Sequence, residues 1–207
     1  MTQTFADAAS MWNQRFSGPD YLFGRTPNAY LQSKAHLLPA QGAALCVADG
    51  EGRNSVWLAR QGLTVQAFDI SEVGVTKARR LAAESQVTVD FTVAGCDQWN
   101  WTPESHDVIA AIFIQFADPL TRERLFAHMI RALKPGGLLI LQGYTPRQLE
   151  FKTGGPGQLS HLYTVDLIRE AFRELRIMEL IDYEAQLDEG TQHVGRSALL
   201  GLVASKG

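Results

Sequence analysis

The stretch from Ala43 to Ser71 constrains this chain most, because it reads in order as strand, glycine turn, helix, strand and closing acid. Ala43-Ala44-Leu45-Cys46-Val47-Ala48 is a short apolar run of the kind buried in a parallel sheet. Asp49-Gly50-Glu51-Gly52-Arg53-Asn54 is a turn of small and polar residues, and Asn54 stands where it can cap a helix carrying Val56, Trp57, Leu58 and Ala59. Thr64 to Phe68 forms the next strand, with Asp69 at its carboxyl end. This is the front half of an open α/β sheet, whose ligand crevice lies where the strands end.

A glycine turn lets backbone approach a ligand closely, because no Cβ intervenes. An acid after the second strand suits two neighbouring ribose hydroxyls, since a carboxylate offers two acceptor oxygens. Together these features point to an adenosine-containing cofactor. The dinucleotide pattern G-x-G-x-x-G is incomplete, because Gly50-Glu51-Gly52-Arg53-Asn54-Ser55 lacks the third glycine. Asp49 and Glu51 also place negative charge where a pyrophosphate would sit. S-adenosylmethionine, with a cationic end and no phosphate, suits the loop better. An NAD-dependent oxidoreductase is the enzymatic alternative, and a purely steric turn is the structural one.

At these residues the sequence resembles the class I S-adenosylmethionine-dependent methyltransferases, whose loop reads acid-x-Gly-x-Gly-x-Gly. Laid over this chain, the first acid falls on Cys46 and the first glycine on Ala48, with Asp49 left to supply the acidic role from a neighbouring position. Leu133-Lys134-Pro135-Gly136-Gly137 matches the family's turn before the fifth strand, Leu138 to Gln142. Val93-Ala94-Gly95-Cys96-Asp97 is similar to the segment after the third strand. A narrower likeness, to the small bacterial tellurite-resistance-type and thiopurine-type methyltransferases, rests on Trp12 to Phe16, Tyr21 to Gly24, Pro27-Asn28, Ala48 to Asn54 and Thr153 to Pro156. The resemblance implies a Rossmann-like α/β fold, with a central, mostly parallel seven-stranded sheet, helices on both faces and a C-terminal antiparallel hairpin. It implies methyl transfer from S-adenosylmethionine to a small-molecule acceptor, including soft nucleophiles such as a thiol or a chalcogen oxyanion. The departures at Cys46 and Ala48 keep open a non-catalytic sensor that binds the same cofactor.

On this reading Asp69 holds the ribose, while Asp49, Gly50, Gly52 and Asn54 form the loop around the methionine portion. Asp97 and Gln98 face the adenine and Ile70 packs on it. Gln115, at the mouth of the fourth strand, touches cofactor or acceptor. Trp12, Arg15 and Phe23 close over the cofactor, with Arg15 placed to pair its carboxylate. Tyr144, Arg147, His161, His193 and Arg196 are the acceptor-side candidates, each with an ordinary surface or structural role as its alternative. No Ser-His-Asp set, paired carboxylates or His/Cys cluster of metal-ligand spacing is present, so no catalytic residue and no metal are assigned.

With 207 residues, 45% of them hydrophobic and 20% charged, the chain suits one globular domain, divided into a helical lid over residues 1–40 and a sheet core over 41–207. A net charge of −3 and a pI near 5.9 argue against a general nucleic-acid surface. No apolar run is of membrane-spanning length. Met1 to Ser10 lacks the cationic start of a secretory signal. Cys46 and Cys96 are expected as reduced, buried thiols of a cytosolic protein. Further helices are expected over Ala6–Phe16, Pro27–Leu38, a segment capped by Ser71, Thr121–Leu133 and Thr164–Phe172. Strands are expected over Val87–Val93, Asp107–Phe116, Ile177–Ala185 and Arg196–Ala204, the last two joined across Asp188-Glu189-Gly190. The oligomeric state is not legible.

Overall fold

The computed structural model describes residues 5–207; Met1 to Thr4, with the start of the segment read above as lacking a signal, lie outside the described residues. Seven strands form one sheet: β1 (Ala43–Val47), β2 (Thr64–Asp69), β3 (Val89–Val93), β4 (His106–Ile112), β5 (Leu133–Tyr144), β6 (Arg176–Glu189) and β7 (His193–Ser205). Their order is β3-β2-β1-β4-β5-β7-β6. β1 to β5 are mutually parallel, and β7 runs antiparallel between β5 and β6. The strand order reverses between β1 and β4, so the carboxyl ends of those strands open a crevice there.

Helices α1 (Phe5–Arg15), α2 (Ala29–Ser33), α3 (Arg53–Arg60), α4 (Glu72–Glu84), α5 (Pro119–Ala132), α6 (Gln148–Phe151) and α7 (Val165–Ala171) surround the sheet. Alternation along β1 shows how both faces are filled. Ala44 and Cys46 belong to a core with Val56, Leu58, Val75 and Leu81 of α3 and α4, while Leu45 and Val47 join Leu125, Met129 and Ile168 of α5 and α7.

Local chemistry sets the element ends. Ser71 caps α4 by accepting from Gly74 N at 3.0 Å, and Asp118 caps α5 by accepting from Thr121 N at 2.8 Å, so α5 starts two residues ahead of the expected Thr121. α3 is capped by Gly52 in the left-handed region, not by Asn54. Asn54 is already helical, and its Oδ1 accepts from Asn28 N at 3.0 Å. The helix expected over Pro27–Leu38 is only the short α2, capped by Asn28, followed by a single 3-10 turn over Ala35–Leu37. β4 stops at Ile112 instead of running to Phe116, because Phe113 turns the backbone with a φ of 56°. The hairpin strands extend further than expected and meet at Gly190 to Gln192.

Candidate active site

At the end of β2 the Asp69 carboxylate is buried and fixed by two backbone donors: Gly50 N at 2.8 Å to one oxygen and Ser71 N at 2.8 Å to the other. Each oxygen keeps a further lone pair for a ligand hydroxyl. Burial pushes this carboxyl up to about 6; the Ser71 and Gly50 bonds pull it down, and the charge of Glu51 adds to the rise. Asp49 is half-buried. One oxygen accepts from Ser55 Oγ, and the other is buried without a hydrogen-bond partner. Burial pushes it up to about 7, opposed by the Ser55 bond and reinforced by Asp69. The loop thus concentrates two carboxylates, one with a buried, unused acceptor oxygen. That acceptor set fits a ligand bearing ribose hydroxyls and a cationic end.

The two glycines of the turn do different work. Gly50 has a φ of 62°, and a Cβ there would lie 3.3 Å from Phe16 Cζ. Gly52 has a φ of 90°, and its Cβ would overlap Ala78 of α4, so it serves the close approach of α3 and α4. Ala48, at the family's first-glycine position, adopts a φ of 49°, a conformation unfavourable for a residue with a Cβ.

The amino-terminal segment lies over this loop. Asn13 Oδ1 accepts from Ser71 Oγ at 2.7 Å and Val73 N at 3.2 Å. Leu22 N donates to Glu51 at 2.6 Å, and Lys77 bridges Glu51 and Asp20 O. Phe16 is buried; Trp12 stacks on it at 5.3 Å, and the Arg15 guanidinium lies 4.5 Å over the Trp12 ring. Phe23 meets Phe16 edge-on at 6.2 Å. The lid candidates Trp12, Arg15 and Phe23 therefore gather above the glycine turn.

Of the proposed adenine-side residues, Ile70 is half-buried beside Asp69, whereas Asp97 and Gln98 are exposed, and Asp97 pairs with Arg124 at 3.4 Å. Gln115 is buried, and its amide is used by the backbone: Nε2 donates to Tyr144 O and His161 O, and Oε1 accepts from Tyr144 N. His161 in turn has Nδ1 at 2.9 Å from Gln115 O. Arg147 and Arg196 share the Glu184 carboxylate on the hairpin and flank the Phe151 ring, away from the buried cluster around Tyr144.

That cluster includes groups the sequence reading missed. Phe113 stacks on Tyr144 at 4.7 Å and meets His193 at 4.4 Å, and Phe23 meets His193 at 4.5 Å. His193 Nδ1 lies 3.5 Å from Glu189 Oε2, and Arg53 Nη2 lies 2.8 Å from the same oxygen. Glu189 Oε1 accepts from Asn28 Nδ2 at 2.9 Å, and Asn28 also donates to Gln142. Burial favours the neutral acid at Glu189, but the His193 bond and the Arg53 charge outweigh it and hold the carboxyl down at about 2. Only the run of polar residues in Asp188 to His193 hinted at this network in sequence.

Residues 44–137 match the family model described as a methyltransferase domain. Two curated relatives match: a Drosophila melanogaster tRNA N(3)-methylcytidine methyltransferase, Mettl2, is 25% identical over 58% of this chain and 43% of its own. A ubiquinone biosynthesis O-methyltransferase of Agrobacterium fabrum is 34% identical over 56% of this chain and 44% of its own. The chain thus spans less than half the length of these relatives. Solved structures share the fold at low identity. A structure concerned with conversion of a disulfide into a thioacetal in echinomycin biosynthesis has a TM-score of 0.76 at 16% identity, covering 96% of this chain and 92% of that one. TehB from Haemophilus influenzae has a TM-score of 0.71 at 14% identity, covering 96% and 67%. The N-methyltransferase NodS from Bradyrhizobium japonicum WM9, bound to S-adenosylhomocysteine, has a TM-score of 0.71 at 13% identity, covering 96% and 97%. The chain thus matches a methyltransferase domain over residues 44–137 and shares its fold with methyltransferases of known structure.

Proposed function

We propose that this protein transfers the methyl group of S-adenosylmethionine to a small-molecule acceptor. The observation that carries the proposal is the Asp69 carboxylate, held by Gly50 N and Ser71 N beside a glycine turn at the strand-order reversal. When bound, the cofactor supplies an activated methyl on a sulfonium; the protein supplies alignment, charge and exclusion of water. Asp69 takes the ribose hydroxyls, the unused oxygen of Asp49 attracts the cationic end, and the turn at Gly50 gives room. Ile70, Asp97 and Gln98 border the adenine, and Trp12, Arg15 and Phe23 cover the cofactor.

The acceptor sits between the lid and the ends of β4 and β5, near Phe113, Tyr144 and His193. Gln115 positions the β5 end and the His161 turn through backbone bonds. Thiols and other soft nucleophiles are the leading acceptor class, and the likeness to TehB fits the tellurite-resistance-type resemblance. A net charge of −3 favours a small acceptor over RNA, although one relative acts on tRNA.

A labelled-methyl screen across thiols, phenols, amines, carboxylates, selenite and tRNA tests the proposal. Label transfer to a small acceptor with stoichiometric S-adenosylhomocysteine is expected. Transfer to tRNA alone, or none at all, contradicts it.

A further inference from the structure

We infer that His193 is the general base of the reaction, oriented by Glu189, and that the acceptor is a protic nucleophile bearing an X–H group. This rests on the methyl-transfer reading above and narrows its acceptor class.

His193 opens β7 directly after the hairpin turn, and three rings surround its imidazole from separate segments: Phe23 of the lid at 4.5 Å, Phe113 after β4 at 4.4 Å and Tyr144 of β5 at 5.8 Å. It therefore lies where the carboxyl ends of β4 and β5 meet the lid. Phe113 supports this placement independently. A bulky residue at a φ of 56° is strained, and such strain persists where the surroundings enforce it, typically at a ligand site.

The two ring nitrogens differ. Glu189 Oε2 lies 3.5 Å from His193 Nδ1, whereas Nε2 has no hydrogen-bond partner among the described residues. A carboxylate on Nδ1 favours the tautomer with the proton there, leaving the Nε2 lone pair free. Arg53, at 2.8 Å, and Asn28 fix the carboxylate in turn, so Glu189 acts as a positioning residue. The charged or titratable groups facing His193 are Glu189 from the hairpin, Arg53 from α3, Arg15 from α1 and Tyr144 from β5. Burial lowers the affinity of His193 for a proton; the Glu189 bond opposes this, and Arg53 and Arg15 add to the lowering. The imidazole is therefore neutral near pH 7 and able to accept a proton.

Atoms and charge balance in the step. The X–H bond breaks as X forms a bond to the methyl carbon; the methyl–sulfur bond breaks, its electron pair neutralises the sulfonium, and the proton passes to Nε2. An oxyanion without a proton on its attacking atom has no use for this base.

The test combines an acceptor-free readout with a kinetic one. Nitrogen-resolved NMR of the imidazoles with S-adenosylhomocysteine bound is expected to show His193 neutral at about pH 7 and protonated on Nδ1. In Glu189→Gln that tautomer preference should weaken; Glu189→Asp, which keeps the carboxylate, should restore it if the charge rather than the packing matters. With a phenol as acceptor, which keeps its proton at neutral pH, kcat/KM should fall on the acid side of a single ionisation. His193→Asn should remove that limb and cost about 10²–10⁴-fold in rate, with S-adenosylhomocysteine affinity unchanged. An Nε2-protonated imidazole, an acid limb that survives in His193→Asn, or turnover of selenite with no X–H acceptor methylated would each overturn the inference. Failure of S-adenosylhomocysteine to bind the wild-type chain in calorimetry would instead overturn the methyltransferase reading itself.

Discussion

Gly52→Ala separates the conformational role of the glycine turn from its packing role. At a φ of 90° a residue with a Cβ carries a penalty of about 1–2 kcal/mol. The added Cβ would also lie 2.7 Å from Ala78 Cβ and 2.8 Å from its Cα, nearer than such atoms approach, so α4 must move. Overpacking of this kind costs about 1–3 kcal/mol. The substitution should therefore destabilise the fold by roughly 2–5 kcal/mol, combining the two costs. Gly136 provides the calibration: it has a φ of 78°, but nothing lies within 4 Å of where its Cβ would be. Gly136→Ala should cost only the conformational share, about 1–2 kcal/mol. Urea unfolding at constant m, read as a difference in midpoints, measures both. Equal destabilisation by the two substitutions would refute the claim that Gly52 is required for the α3–α4 approach. Adding Ala78→Gly to Gly52→Ala should recover part of the loss only, because the clash with the backbone of residue 78 remains.

Asp69→Ala should weaken S-adenosylhomocysteine binding in calorimetry by roughly 10–100-fold, the equivalent of ~1.5–3 kcal/mol for a charge-assisted contact; unchanged affinity in a folded variant would remove Asp69 from the site. The folded-state values of about 7 for Asp49 and about 6 for Asp69 lie above those of an unfolded carboxyl, so the folded chain binds more protons. Their contribution is complete below about pH 4 and lost as pH rises through about 7, so the urea midpoint should fall between those values, and less in Asp49→Asn; a rising midpoint would contradict the burial argument. Glu189, held at about 2, works in the opposite sense, and its contribution should be lost as the pH falls from about 4 towards that value. Hydrogen exchange should slow over residues 11–26 when S-adenosylhomocysteine is added, most at the Leu22 amide bonded to Glu51; identical exchange with and without ligand would rule out a closing lid.

The sheet was legible because its signals are local. The central strands contain short apolar runs, and Ser71 caps the helix that follows it, as read from its position. The hairpin was readable from two apolar stretches about a turn. What escaped depended on partners far apart in the chain. Asn54 looks like a helix cap from its neighbours alone, yet it serves Asn28, while Gly52 ends the turn because Ala78 leaves no room for a side chain. The Arg53–Glu189 pair joins residues 136 positions apart, and no local pattern announces it. Arg147 is one of the acceptor-side candidates, and its pairing with Glu184 across the hairpin has no local signal in the sequence. Phe113 read as one more apolar residue of a long strand; its left-handed backbone, which ends β4 and turns the ring towards Tyr144 and His193, is a property of the assembled site.

A crystal structure of the chain with S-adenosylhomocysteine would decide whether Asp69 and the glycine turn form the cofactor site. The ribose hydroxyls are expected on the Asp69 carboxylate, the amino-acid end at the Asp49–Gly50 turn and the sulfur directed towards the space beside Phe113 and His193. A ligand bound elsewhere, or a ribose that does not touch Asp69, would contradict that assignment.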